Sequence, residues 1–197
     1  MEAACLPEWW PGLAPFPRDC WQQIFGNDQP VAVEIGPGRG EFLLASAART
    51  PARNFYGIER SAARAHAIAA KIARNSLANA RVIEADARCL LNALPDASVA
   101  AFHIQFPDPW WKRRHEKRRL WTTDFVAGLT RALVMGGTIE LVTDVADAFA
   151  LAQSCFSDEQ RLERVAIGDP AELRTSFAQK ARRRSAAIHR SLHCRRA

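Results

Sequence analysis

The sequence predicts an α/β fold: a mostly parallel central sheet with helices on both faces and an antiparallel hairpin at its edge. Three observations carry this. Short β-branched runs alternate with stretches of helix formers, the pattern of βαβ units. The first run, Val31–Ile35, ends in Gly36-Pro37-Gly38-Arg39-Gly40, a tight turn that opens a helix. The last forty residues lose the alternation and leave two segments, Leu162–Ile167 and Ala187–Cys194, that fit an antiparallel pair.

Residues 1–30 hold Pro7, Pro11, Pro15 and Pro17 with Trp9, Trp10 and Trp21. That proline density forbids a long helix, so this stretch reads as a lead-in laying aromatics on the core, with a short helix near Asp19–Phe25. After Val31–Ile35 comes a helix at Glu41–Arg49, then a strand at Asn54–Glu59 (NFYGIE) and a helix at Ala62–Asn75. Ala80–Glu84 and Val99–Phe106 are the third and fourth strands. Thr123–Leu133 is a helix that Gly136-Gly137 ends. Thr138–Thr143 is the fifth strand and Val145–Cys155 a further helix. The domain expectation is one domain over residues 31–197, preceded by the lead-in.

At 197 residues the chain can bury one sizeable core, and 48% hydrophobic with 24% charged residues excludes wholesale disorder. No apolar run reaches the ~18 residues of a membrane span, and MEAACLPEWW does not resemble a secretory leader. The five cysteines include no C-x-x-C pair, as expected of reduced thiols in a cytoplasmic protein. His189 and His193 lie four apart but in an alternating segment, so no metal site is expected.

The net charge of +6 is unevenly spread. Residues 112–119 (KRRHEKRR) hold six basic residues against one Glu, and residues 174–197 hold eight with no acid. The remainder is therefore acidic, by seven charges. Two basic segments on an acidic body suit a polyanionic partner.

The glycine-rich turn raises the question of its ligand. A dinucleotide site wants G-x-G-x-x-G with a pyrophosphate on the helix N-terminus. Here the spacing is G-x-G-x-G, and Glu34 and Glu41 flank it. Acids there disfavour phosphate and favour a cation, and S-adenosylmethionine carries a sulfonium and an ammonium. Glu59, ending the second strand, suits ribose hydroxyls. Asp86, after the third, suits an adenine amino group. The bland alternative is an ordinary turn flanked by helix-capping acids.

Phe106-Pro107-Asp108-Pro109-Trp110-Trp111-Lys112 follows the fourth strand. Two prolines hold the backbone extended around Asp108, which sets a rigid carboxylate beside the methyl donor. The polycation comes next and supplies phosphate contacts. Trp110 or Trp111 either stacks on a base or packs in the core.

VEIGPGRGEF, GIE, EADA, FPDPWWKRRHEKRR and LVTD, in this order, resemble the bacterial tRNA (guanine-N7-)-methyltransferase family across residues 31–150, with a weaker echo at 174–193. The resemblance implies a Rossmann-like class I methyltransferase fold and methyl transfer from S-adenosylmethionine to N7 of a tRNA guanine. It implies a cofactor site at Glu34, Gly36, Gly38, Gly40, Glu59 and Asp86, and a catalytic Asp108 that also borders the cofactor. It implies substrate contacts from Lys112, Arg114, His115, Lys117, Arg118, Arg119, Asp144 and Thr175. It implies tRNA as partner, with monomer and homodimer both open. The C-terminus departs from the pattern: where the family reads T-x-F-E, this chain has Thr175-Ser176-Phe177-Ala178, and the family's TDW reads Thr143-Asp144-Val145. A non-catalytic RNA-binding protein on the same scaffold, and a methyltransferase with another RNA or a small-molecule substrate, are the alternatives.

Overall fold

A computed structural model describes residues 16–108, 120–167 and 187–196. Among the described residues, seven strands form one sheet: β1 (Val31–Ile35), β2 (Asn54–Glu59), β3 (Ala80–Glu84), β4 (Val99–Gln105), β5 (Leu133–Thr143), β6 (Leu162–Val165) and β7 (His189–Arg195). Their order is β3-β2-β1-β4-β5-β7-β6. β1 to β5 pair in parallel, and β7 pairs antiparallel with both β5 and β6, so the expected hairpin closes one edge. β1 and β2 are buried at every position, as a sheet covered on both faces requires.

The helices are α1 (Cys20–Phe25), α2 (Glu41–Arg49), α3 (Ala62–Arg74), α4 (Ala87–Ala93), α5 (Thr123–Ala132) and α6 (Ala146–Asp158). Alternation along the strands sends their side chains into two cores. Ala32, Phe55, Val82 and Ala101 meet Leu43 and Ala47 of α2 and Ala65 and Ile68 of α3. Val33, Ile58, Phe102, Ile104, Ile139 and Leu141 form the larger core with α1, α4, α5 and α6. Phe16, Trp21 and Phe25 are buried in that core, and Trp21 meets Tyr56 edge-on at 5.1 Å. The lead-in thus lays its described aromatics where expected.

Two features differ from the sequence expectation. Residues 87–93 form α4, which had no counterpart. Asp86 caps it by accepting from the Arg88 N–H at 3.0 Å. Arg131 of α5 closes the other end, donating to Leu94 O at 2.8 Å and Leu91 O at 2.7 Å. Seven residues are marginal as an isolated helix, so this one depends on tertiary caps that no local pattern shows. Gly136-Gly137, expected to end a helix, instead lie inside β5. The register against β4 slips between Val99 and Ala101, and the chain bulges there. Gly136 has φ +74°, and a Cβ on Gly137 would meet Val134 O at 2.8 Å, so the bulge, not the helix end, needs both glycines.

The hairpin is fastened on both faces. On one, His189 stacks on Phe149 at 5.2 Å and His193 on Phe156 at 4.0 Å, both rings of α6. Burial, with the Arg164 charge, pushes His193 down to about 4, so it packs as a neutral ring. No group of three candidate ligands gathers around any metal position among the described residues. On the other face Glu140 of β5 receives Arg190 Nε at 2.7 Å and meets His103 Nδ1 of β4 at 3.0 Å. Burial opposes ionisation of Glu140, but the hydrogen bonds and charges of His103 and Arg190 outweigh it and hold the carboxyl below its ordinary range. Glu140→Ala leaves Arg190 and His103 without their acceptor. It is expected to cost about 2–3 kcal/mol in urea unfolding, less than the ~3–5 of a fully buried pair because both partners reach solvent. A loss under ~1 kcal/mol would show that the network is incidental.

Candidate active site

The strand order reverses between β1 and β4, and such a switch point opens a crevice at the carboxyl ends of the strands. A cleft of about 260 Å³ lies there, bordered by the ends of β1, β2, β3 and β4. Glu34, Gly36, Gly38, Glu59, Asp86 and Asp108 all line it. The sequence thus brought six of the expected residues to one place from four separate strand ends.

Glu34 is the deepest of them, 4% exposed on β1. Its Oε2 is buried with no hydrogen-bond partner among the described residues. Burial pushes the carboxyl up to about 8; the Leu43 amide in the first turn of α2 pulls the other way, and the Glu59 charge adds to the rise. A buried carboxylate without a counter-charge is costly, and the cost ends when a cation arrives.

The turn after β1 needs its glycines for two reasons. Gly36 has φ +71° with nothing within 4 Å of where a Cβ would stand, so it leaves open space at the cleft. Gly40 has φ +74°, and a Cβ there would meet Ile68 of α3 at 2.9 Å. Gly36 therefore serves the ligand side and Gly40 the packing of α2 on α3.

Glu59, 5% exposed, holds this turn in place. Its Oε2 accepts from Gly38 N–H at 3.0 Å and its Oε1 from Ser61 N–H at 2.9 Å. Each oxygen keeps a second lone pair for a hydroxyl. Asp86 is both cap and lining residue. Arg88 grips it, Nε at 3.0 Å from Oδ1 and Nη2 at 2.6 Å from Oδ2, and these bonds hold its carboxyl below the usual range. The capping alternative and the cleft assignment thus hold together for this residue.

Phe106 adopts φ +49° directly after β4, its N–H tied to Val142 O at 2.7 Å. A non-glycine residue in that region is strained, and the turn it makes leads through Pro107 to an exposed Asp108 at the cleft. Asp144 is exposed at the end of β5 and is not among the cleft-lining residues. Lys112, Arg114, His115, Lys117, Arg118, Arg119 and Thr175 lie outside the described residues, as do Trp110, Trp111 and Ala178.

Sequence reasoning missed several lining residues. Arg39, Arg60 and Arg64 are exposed around the cleft. The acids therefore form its floor, while its rim carries both signs. Gln105 also lines the cleft, 8% exposed, with Oε1 and Nε2 both unpartnered among the described residues. The available signal was a lone amide ending an apolar strand.

A family model described as "Putative methyltransferase" matches residues 28–190. The tRNA (guanine-N(7)-)-methyltransferase of Rhodopirellula baltica is 40% identical over 136 residues, 66% of this chain and 50% of that one. That of Thermotoga maritima is 45% identical over 130 residues, 66% of this chain and 41% of that one. The chain spans about half the length of the curated relatives it matches. Among solved structures, the 16S rRNA methyltransferase KamB superposes with TM-score 0.68 at 16% identity, over 92% of this chain and 95% of that one. The aminoglycoside resistance methyltransferase NpmB1 gives 0.62 at 18%, over 91% and 94%. These likenesses concern the fold, which is the Rossmann-like class I methyltransferase fold. The family match runs from just before β1 to the start of β7, across all four strands whose ends border the cleft, and by it the chain belongs to this methyltransferase family.

Proposed function

We propose that the chain transfers a methyl group from S-adenosylmethionine to N7 of a guanine in tRNA. The observation that carries this is Glu34, a buried carboxylate with an orphaned oxygen on the floor of a cleft at the switch point. A cationic ligand is what such a group lacks. The residues present fit the methyl donor: Glu34 for its cationic end, Glu59 for ribose hydroxyls, Asp86 for the adenine amino group, and the space before Gly36 for close backbone approach. Bound there, the donor supplies a methyl group activated by a sulfonium. The relatives named above are named for this reaction on tRNA.

Guanine N7 has a free lone pair at neutral pH, so the chain needs no general base. Its task is alignment, which can contribute about 7–11 kcal/mol. The methylated base is cationic, and Asp108, held at the cleft by the Phe106–Pro107 turn, stabilises that developing charge. Asp144, exposed at the end of β5, is read as a further substrate contact. The segment 112–119, which directly follows the Asp108 turn in sequence, and the C-terminal basic residues hold RNA phosphates, with Thr175 as a further contact. One methyltransferase domain over 31–197 with a lead-in is favoured by the burial of Phe16, Trp21 and Phe25 in the main core. A cytoplasmic location is favoured by free thiols at Cys20, Cys89, Cys155 and Cys194. No helix among the described residues is long and apolar enough to cross a membrane.

Incubation with S-adenosylmethionine and bulk tRNA from cells lacking the modification should yield 7-methylguanosine by mass detection after nuclease digestion. Donor binding without any methylated nucleoside would instead favour the non-catalytic RNA-binding alternative. Asp108→Ala should abolish methylation while donor affinity survives; unchanged turnover removes Asp108 from the chemistry. If the polycation neutralises about five phosphates, log affinity for tRNA should fall against log salt with a slope of about −4. A flat dependence excludes phosphate contacts as the source of binding.

A further inference from the structure

Gln105 closes β4, and its position is set by strand register. Ile35 pairs with Ile104, so Gln105 lies one step past the end of β1, level with Gly36. Residues 101, 103 and 105 share a face of β4, the face on which Glu34 stands opposite His103. Gln105 is more than nine-tenths buried and lines the cleft, yet both amide atoms lack partners among the described residues. A buried primary amide with neither its donor nor its acceptor satisfied is a standing cost. The strained Phe106 follows it immediately and fixes where β4 stops.

The chemistry of the amide selects the ligand. The donor's cationic end calls for a carboxylate, which Glu34 supplies, and its ribose for hydroxyl acceptors, which Glu59 supplies. A neutral amide offering N–H and C=O side by side fits the edge of a neutral heterocycle. Guanine presents, in order, the O6 acceptor, the N1–H donor and the N2 amino donor. Gln105 Nε2 and Oε1 supply the complementary donor and acceptor for O6 and N1–H, and Asp108, three residues on at the same cleft, supplies the acceptor for the amino group. That leaves N7, on the far side of O6, free to meet the methyl. Adenine could meet the amide only after it flips, and has no amino group at position 2 for Asp108, so discrimination needs the amide and Asp108 together.

We propose that Gln105 reads the target base, pairing its side-chain amide with the O6 and N1–H edge of the guanine while Asp108 takes the amino group. This rests on the proposed methylation of guanine N7 and adds the residue that, together with Asp108, reads the base edge.

Gln105→Leu removes both polar atoms at similar volume, and Gln105→Met does so without branching. For each, kcat/KM for 7-methylguanosine formation on tRNA should fall about 10- to 100-fold, the worth of a paired base edge. Calorimetric affinity for S-adenosylmethionine should stay within about twofold, and Tm should not fall, since two unsatisfied atoms have gone. Wild-type methylation rates in both variants would overturn the assignment. A loss of donor affinity in step with methylation, or a fall in Tm, would overturn it too, by giving the amide to the donor or to the fold. If the wild-type protein binds the donor but forms no 7-methylguanosine, the proposed function falls and the assignment with it.

Discussion

The cleft is organised around a carboxyl group that the fold buries and only partly satisfies. Glu34 stands on an inner strand of a doubly covered sheet, where burial opposes its ionised form and holds its carboxyl up to about 8. Left alone, this group opposes folding. Its raised value contributes stability at low pH, and that contribution is lost as pH rises from the ordinary carboxylate range towards 8. A fold keeps such a group where a ligand completes it. The neighbouring parts make sense as supports for that ligand: the positive-φ glycine that clears space, the second buried acid that pins the turn, and the strained residue that ends β4.

The rest of the molecule keeps those strand ends in register. α2 and α3 lie on one face and the larger helical layer on the other. β7, reached through residues 168–186, is fastened to β5 by Glu140–Arg190 and to α6 by two histidine–phenylalanine stacks. The Glu140 site also joins β4 through His103, two residues before Gln105. The edge hairpin is therefore mechanically continuous with the strand that presents Gln105 and Asp108. Charge is divided between these parts: buried acids form the floor, exposed arginines share the rim, and the polycation follows the Asp108 turn in sequence.

Most of this was legible in the sequence where a local pattern and a tertiary role coincide. β1, β2 and β3 fall on the expected residues because each is a short β-branched or aromatic run bounded by turn residues, and α2 begins where the glycine turn ends. Glu34, Glu59 and Asp86 were visible as acids after successive strands. What escaped was set by contacts distant in sequence. α4 needs Arg131 from α5, and the β5 bulge needs the register of β4. Gly-Gly after a helix reads as a stop because nothing local distinguishes a helix end from a bulge. Arg88 on Asp86 and the mixed charge of the rim come from side chains that meet only in the fold. Gln105 escaped because an amide at a strand end is unremarkable until its burial and empty hydrogen-bonding capacity are known.

The account turns on Glu34 being protonated in the free protein and ionised against a cation. Calorimetric titration with S-adenosylmethionine at pH 7, in two buffers of different ionisation enthalpy, counts the protons exchanged on binding. With Glu34 near 8 in the free protein, binding should release close to one proton more from the wild type than from Glu34→Gln, and the variant should bind more weakly. Equal proton exchange in the two proteins, with equal affinity, would contradict the account.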